Sequence, residues 1–239
     1  TSHTNVEMTS LKAIEDYQNE FRFHFPHEHR PAARPAKTTP LTTVMANKNA
    51  EFTVINGWER VEYIKPLKDF HPSLSFHFDE AFDVVANEVK NIQNNVGLTE
   101  VNGFNRFEIT GSDANSFVDR MFCGNITQKS GRVGLGYLLN DFGKIKSEAT
   151  ISNIPASDRG PRRIWYGSAA ASEFHDMDWL KQHLKDDEDV EIKSLTNDQT
   201  ILLLAGPKAR DVLSKCSRED WSKEMFPWLS VRECFIGFS

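Results

Sequence analysis

Cysteine is scarce in this 239-residue chain: Cys123, Cys216 and Cys234 make an odd count with no CxxC spacing. No disulfide framework or zinc site is expected from them, and a reducing compartment, the cytoplasm, is the expected location. No apolar run approaches the ~20 residues needed to cross a bilayer, and the opening TSHTNVEMTS has no signal-peptide core. A basic excess is also missing, because 28 lysines and arginines against 34 acids leave a net charge of −6. Nucleic acid and membrane are therefore not expected partners. There is no GxGxxG, Walker loop, HExxH or GxSxG, which removes the dinucleotide, phosphate-loop, zinc-protease and serine-hydrolase signatures. What remains is ordinary globular composition, 39% hydrophobic and 26% charged. The length suits one large domain, or one domain plus a fragment of another, with no need of staples to fold.

Proline locates a boundary. Pro26, Pro31, Pro35 and Pro40 crowd into PHEHRPAARPAKTTP, which can form neither a helix nor a central strand. Residues 1–39 read as a tail or arm with a proline-rich connector, and residues 40–239 as the main domain. Within the arm, Ser10 can cap a short helix bearing Leu11, Ile14 and Tyr17.

Beyond Pro40 the spacing of Phe82, Val85, Val89, Ile92 and Val96 predicts an amphipathic helix ending at Gly97. FNRFEIT reads as a strand with Phe107 and Ile109 on one face. Ser112 or Asp113 can cap the next helix, which carries Phe117, Val118, Met121 and Phe122. Val133, Leu135, Tyr137 and Leu139 alternate as a half-buried strand, and the turn Asn140–Lys144 folds it into a hairpin with the strand through Ala149 and Ile151. RRIWYG, VEIKSL and TILLLAG are further strands. Phe174, Met177, Leu180 and Leu184 mark a helix, and Pro207 opens another, with Val212 and Leu213. The order predicts an α+β fold with an antiparallel sheet and split βαβ, ferredoxin-like units.

Spacing alone yields no catalytic constellation. His24, His27 and His29 match no standard zinc ligand set, and Pro26 prevents a helix from aligning them, so they read as surface or packing residues. The glycines of GRVGLG (Gly131–Gly136) lie inside a strand pattern. They admit close backbone approach by a ligand or by a packed neighbour, and spacing does not choose between the two.

Three ordered blocks carry a resemblance: FEITGSDANSFVDRMFCGNI, GRVGLGYLLNDFGKI and TILLLAGPKARDVL. They resemble the folate-binding aminomethyltransferase domain of the glycine-cleavage T-protein, over roughly residues 40–239. The preceding FHFPHEHRPAARPAKTTPL and NAEFTVINGWERVEYI look like the junction in flavin-dependent dimethylglycine and sarcosine dehydrogenases. The resemblance implies a T-protein-like folate-binding fold, and a chain read as cut at both ends. FAD would belong only to a flavoprotein half upstream of Thr1 in the same polypeptide. That half would oxidise a methylated glycine to an iminium, and the folate domain would pass the one-carbon unit to tetrahydrofolate. Alone, the chain is expected to be inactive. Two alternatives accompany this reading: a degenerate folate domain serving as structural or channelling partner, and a free-standing folate-dependent aminomethyltransferase or demethylase.

The resemblance also implies site residues. At the family's catalytic aspartate this chain has Asn125, which keeps hydrogen bonding but brings no charge. At the pterin-contacting tyrosine it has Leu135, with Tyr137 two residues along the same strand face. The family's paired aspartates read Ser147-Glu148. Asn125, Leu135, Tyr137 and Glu148 are the expected folate-binding residues, Asn125 at the catalytic place, and no metal ligands are expected. Each has a plainer role open to it: a turn residue for Asn125, a core tyrosine for Tyr137, a solvated strand position for Glu148. Trp58 reads as a packing anchor and Cys123 as a small buried hydrophobe.

Overall fold

The computed structural model describes residues 5–124, 129–158 and 160–237. Along the chain run α1 (Val6–Gln18), α2 (Thr42–Asn47), β1 (Ala50–Ile55), β2 (Trp58–Ile64), α3 (Ala81–Asn94), β3 (Gly97–Glu100), β4 (Asn105–Thr110) and α4 (Ala114–Met121). Then come β5 (Phe122–Cys123), β6 (Val133–Leu139), β7 (Ile145–Ile154), β8 (Arg163–Ser168), α5 (Glu173–Gln182), β9 (Glu191–Ser194), β10 (Leu202–Ala205) and α6 (Ala209–Cys216). They form two compact units, Thr1–Asn102 with Ile201–Ala209, and Gly103–Thr200 with Arg210–Ser239. Neither unit boundary falls at residues 39/40.

In the first unit α1 starts earlier than expected. The Asn5 side chain accepts from Met8 N at 2.8 Å, so Asn5 is the cap and Ser10 lies inside the helix. Leu11, Ile14 and Tyr17 stay half or more exposed. The proline-rich connector is then tied to the β1–β2 hairpin. Arg34 makes a two-pronged bond to buried Glu59, at 3.0 and 2.6 Å. Lys37 exchanges backbone hydrogen bonds with Gly57 and Glu59 at 2.9 Å each, and Thr39 Oγ1 donates to buried Glu100 at 2.7 Å. The hairpin turns on Asn56-Gly57, whose φ values of 51° and 84° suit the tight turn that matches strand twist.

Helix α3 carries its apolar residues at the expected spacing but stops at Asn94, not at Gly97. Gly97 instead opens β3, where a Cβ would fall 2.4 Å from Ile92 Cγ1. The glycine is there for close passage. The stripe itself is only partly covered, with Phe82 51% exposed, and β3 pairs with β10 in a ribbon of two strands.

The second unit is the expected antiparallel sheet, with six strands in the order β5-β6-β7-β8-β4-β9. Helices α4 and α5 contribute Phe117, Val118 and Leu180 to its inner face, where Phe107, Ile109, Leu138, Ile151 and Tyr166 are buried. Phe107 stacks on Tyr166 at 5.2 Å. Several local expectations shift. Asp113 sits at the α4 N-cap but spends a carboxylate oxygen on Asp189 N, at 3.0 Å. Phe174 is exposed, so α5 packs through Met177, Trp179 and Leu180, and Leu184, just past its end, packs against the same core. Pro207 precedes α6 by two residues. Strand β6 alternates as expected but faces the other way: Gly136 and Leu138 are buried, while Leu135 is 58% exposed. Its glycines bring the backbone itself to the inner face, and the apolar odd positions turn outward.

A polar network crosses that inner face. Fully buried Asp176 accepts from Tyr166 OH and Ser168 Oγ at 2.5 Å and from Ser147 Oγ at 3.0 Å. Asn105 closes it, donating to Ser168 Oγ at 2.6 Å and accepting from Ser168 N at 2.9 Å. Burial first, and then the bond to Asp176, drive the Tyr166 phenol far above its ordinary pKa. Asp176→Ala removes the acceptor that three buried hydroxyls share. It should cost about 3 kcal/mol or more, read as a lower urea midpoint at unchanged slope. A native midpoint would show that the network carries no stability.

Candidate functional site

The outer face of the same sheet gathers the sequence candidates. Cys123 on β5 pairs with Tyr137 on β6, and Tyr137 pairs with Glu148 on β7, so the three side chains form one row. Leu135, opposite Thr150, occupies the next row. Two-residue periodicity sends Ser147 to the inner face and Glu148 outward. Of the Ser147-Glu148 pair, one side chain therefore belongs to the core and the other to the surface. The turn that sets this register is local: Asn140 Oδ1 accepts from Phe142 N at 3.0 Å and from Lys144 N at 2.9 Å.

Tyr137 and Glu148 interact. The hydrogen bond to the Glu148 carboxylate, and then the carboxylate's charge, hold the Tyr137 phenol above its ordinary pKa. Cys123 is exposed, not the buried hydrophobe expected, because β5 is an edge strand and Phe122 takes the inner position. Asn125 lies outside the described residues. The structure thus brings together Leu135, Tyr137 and Glu148. Trp58 is a packing residue of the first unit, 7% exposed, with Lys37 Nζ 5.4 Å over its ring.

One residue of the second unit escaped the sequence reading. Arg106 on β4 is only 9% exposed and donates through Nη2 to Thr196 O, while Nε and Nη1 have no hydrogen-bond partner among the described residues. Burial lowers its pKa, and Glu173 opposes that shift from a distance. An arginine inside a strand pattern that otherwise buries Phe107 and Ile109 was the available signal. Among the histidines, His27 and His29 both reach Glu62, and His24 meets Arg30. Among the described residues, no group of three or more His, Cys, Asp or Glu is placed to hold a metal ion. No helix among them is long and apolar enough to cross a membrane.

Residues 41–239 match the family described as the GCVT N-terminal domain. The chain belongs to that family. Human mitochondrial dimethylglycine dehydrogenase is 29% identical over 236 residues, 98% of this chain and 27% of that protein. The alpha subunit of sarcosine oxidase from Rhizobium meliloti is 32% identical over 153 residues, 62% of this chain and 15% of that subunit. The crystal structure of the glycine cleavage system aminomethyltransferase T from Bartonella henselae superposes with a TM-score of 0.58 at 20% identity. It covers 75% of this chain and 43% of that one, and supports the fold alone. The chain spans about a quarter of the length of the dimethylglycine dehydrogenases it matches. As a GCVT-family domain it has the expected α+β, T-protein-like fold.

The Tyr137–Glu148 pair is open to direct measurement. Alkaline titration of tyrosinate absorbance, taken as native minus Tyr137→Phe, isolates this phenol. Since Glu148 raises its pKa, Glu148→Gln should lower it toward the ordinary value of about 10. An unmoved midpoint would mean that the two groups do not meet.

Proposed function

We propose that the chain is the folate-binding portion of a dehydrogenase that oxidatively demethylates dimethylglycine or sarcosine. Its partners in this reading are an FAD-bearing flavoprotein half of the same polypeptide and the iminium derived from a methylated glycine. Three free cysteines suit a reducing compartment such as the cytoplasm, although the human relative is named as mitochondrial. The supporting observation is the Tyr137–Glu148 pair beside exposed Leu135 on an open sheet face of a GCVT-family chain.

Tetrahydrofolate fits the donor set on this face. Glu148 offers acceptor oxygens to the N–H groups of a pterin, Tyr137 a phenol edge, and Leu135 an apolar plate. When bound, it supplies the amine nitrogens that take up the one-carbon unit. Glu148 is then the carboxylate that stabilises positive charge on the reacting amine, and Asn125 orients without adding charge. The 39/40 junction would mark the passage from the flavoprotein segment to the folate segment.

A second reading has its own support. Ser147 faces the core and bonds to Asp176, and Asn125 is neutral, so at these positions Glu148 alone offers a carboxylate to the outer face. A folate domain so depleted would serve as a structural or channelling partner.

Two experiments separate the readings. Calorimetry of tetrahydrofolate on the chain should give saturable binding that Glu148→Gln weakens by about tenfold. No binding to either form would leave the structural reading. In the complete dehydrogenase, Asn125→Asp should raise the share of one-carbon units captured on folate relative to free formaldehyde, because a fixed charge favours the cationic intermediate. If native Asn125 already captures nearly all of them, the charge argument fails.

A further inference from the structure

The first unit contains a cleft of about 940 Å³, within the ~300–1,000 Å³ range of small-molecule sites. Five aromatic rings line it: Tyr63, Phe70, Phe76, Phe78 and Phe82. Phe76, Phe78 and Phe82 are 64%, 84% and 51% exposed, which leaves ring surface free for a ligand. Four carboxylates, Glu28, Glu51, Glu62 and Asp79, share the walls with four imidazoles, His27, His29, His71 and His77, and no lysine or arginine is among the described lining residues. Glu28 and Glu51 have ion-pair partners among residues that do not line the cleft, Arg22 at 2.5 Å and Lys65 at 3.1 Å. Among the described residues Glu62 has only the His27 and His29 rings as ion-pair partners, and Asp79 accepts from Ala81 N at 2.9 Å.

Tyr63 reports the field inside. It is 6% exposed, its ring meets Phe70 edge-on at 6.4 Å, and its phenol is pushed up to about 12. Burial is the larger cause; Glu51, Glu62 and Asp79 then act together in the same direction. Three separate segments thus direct negative potential at one wall of the cleft. A cavity with one sign of charge and low-dielectric walls concentrates the opposite ion. Aromatic faces add quadrupole attraction for a cation whose charge lies beneath alkyl groups.

From this combination we infer that the cleft binds a small organic ammonium cation with alkylated nitrogen, Phe78 and Phe82 supplying ring faces and Glu62 and Asp79 the counter-charge. Phe78 and Phe82 lie side by side, with centroids 4.4 Å apart and planes at 41°, so one cation can reach both rings. A bare metal ion would gain little from the rings, and an anion would meet the carboxylates. The inference does not rest on the folate reading, which concerns residues of the other unit.

The test titrates choline into the chain, followed by saturation-transfer NMR and calorimetry. The control ligand is the neutral tert-butyl isostere, in which carbon replaces the ammonium nitrogen. Choline should saturate with a Kd on the order of millimolar, and the isostere should bind at least about tenfold more weakly. Phe78→Ala and Glu62→Gln should each weaken choline by about fivefold or more, while Phe142→Ala, in the other unit, should not. Phe78 is exposed enough that its variant tests binding and not folding. Equal binding of the isostere would make the cleft a merely apolar groove and overturn the inference. So would absence of saturable choline binding, or losses no larger than that of Phe142→Ala.

Discussion

Neighbouring residues of a strand must point to opposite faces of the sheet, and along β7 this requirement separates the buried scaffold from the candidate site. Ser147 turns inward to Asp176, and Glu148 turns outward to Tyr137. The separation holds only while the β6–β7 register holds, since a slip of one residue would exchange the faces. Three features secure it: the Asn140-centred turn, the pairing of β7 with β8 on its other side, and the fixed inward place of Ser147 in the Asp176 network. The open face owes its chemistry to the buried one.

In the first unit, carboxylates of the hairpin and of β3 organise the connector. Glu59 takes Arg34, Glu62 takes His27 and His29, and Glu100 takes Thr39. A proline-rich segment has few backbone donors of its own and cannot join a central strand, so side-chain anchors supplement the two backbone bonds of Lys37. The same arrangement leaves Glu62 and Asp79 without a lysine or arginine partner among the described residues. The negative field of the aromatic cleft follows from how the connector is fastened.

Features set by near neighbours in sequence could be read from the sequence: the Asn140–Lys144 turn, the apolar spacing of α3, and the strands around Phe107 and Tyr166. The Asn56-Gly57 hairpin carried an equally local signal that the reading did not use. What escaped depends on distant contacts. Gly97 looked like a helix stop because its tight passage over Ile92 requires the folded chain. The facing of β6 was ambiguous, because one set of positions is apolar and the other is glycine and leucine. Asp176 stands four residues before Leu180, on the packed face of α5, and an acid in that position was the available clue to a buried network. Of the candidate site, Leu135, Tyr137 and Glu148 came to one sheet face because strand alternation is readable. Cys123 came out exposed because its place on an edge strand is not.

A phenol and a carboxylate meet twice in the second unit, and burial gives the two pairs opposite uses. Tyr166 and Asp176 are out of reach of water, so each group needs the other and the remaining donors of the network; removing one partner leaves the rest unsatisfied. Tyr137 and Glu148 lie at the surface, where water replaces either partner at little loss and solvent screens the attraction. A ligand that brings its own N–H donors can therefore displace the Tyr137 hydroxyl from Glu148 without disturbing the fold. The inner pair is fixed by what it cannot exchange, and the outer pair can exchange its partner for water.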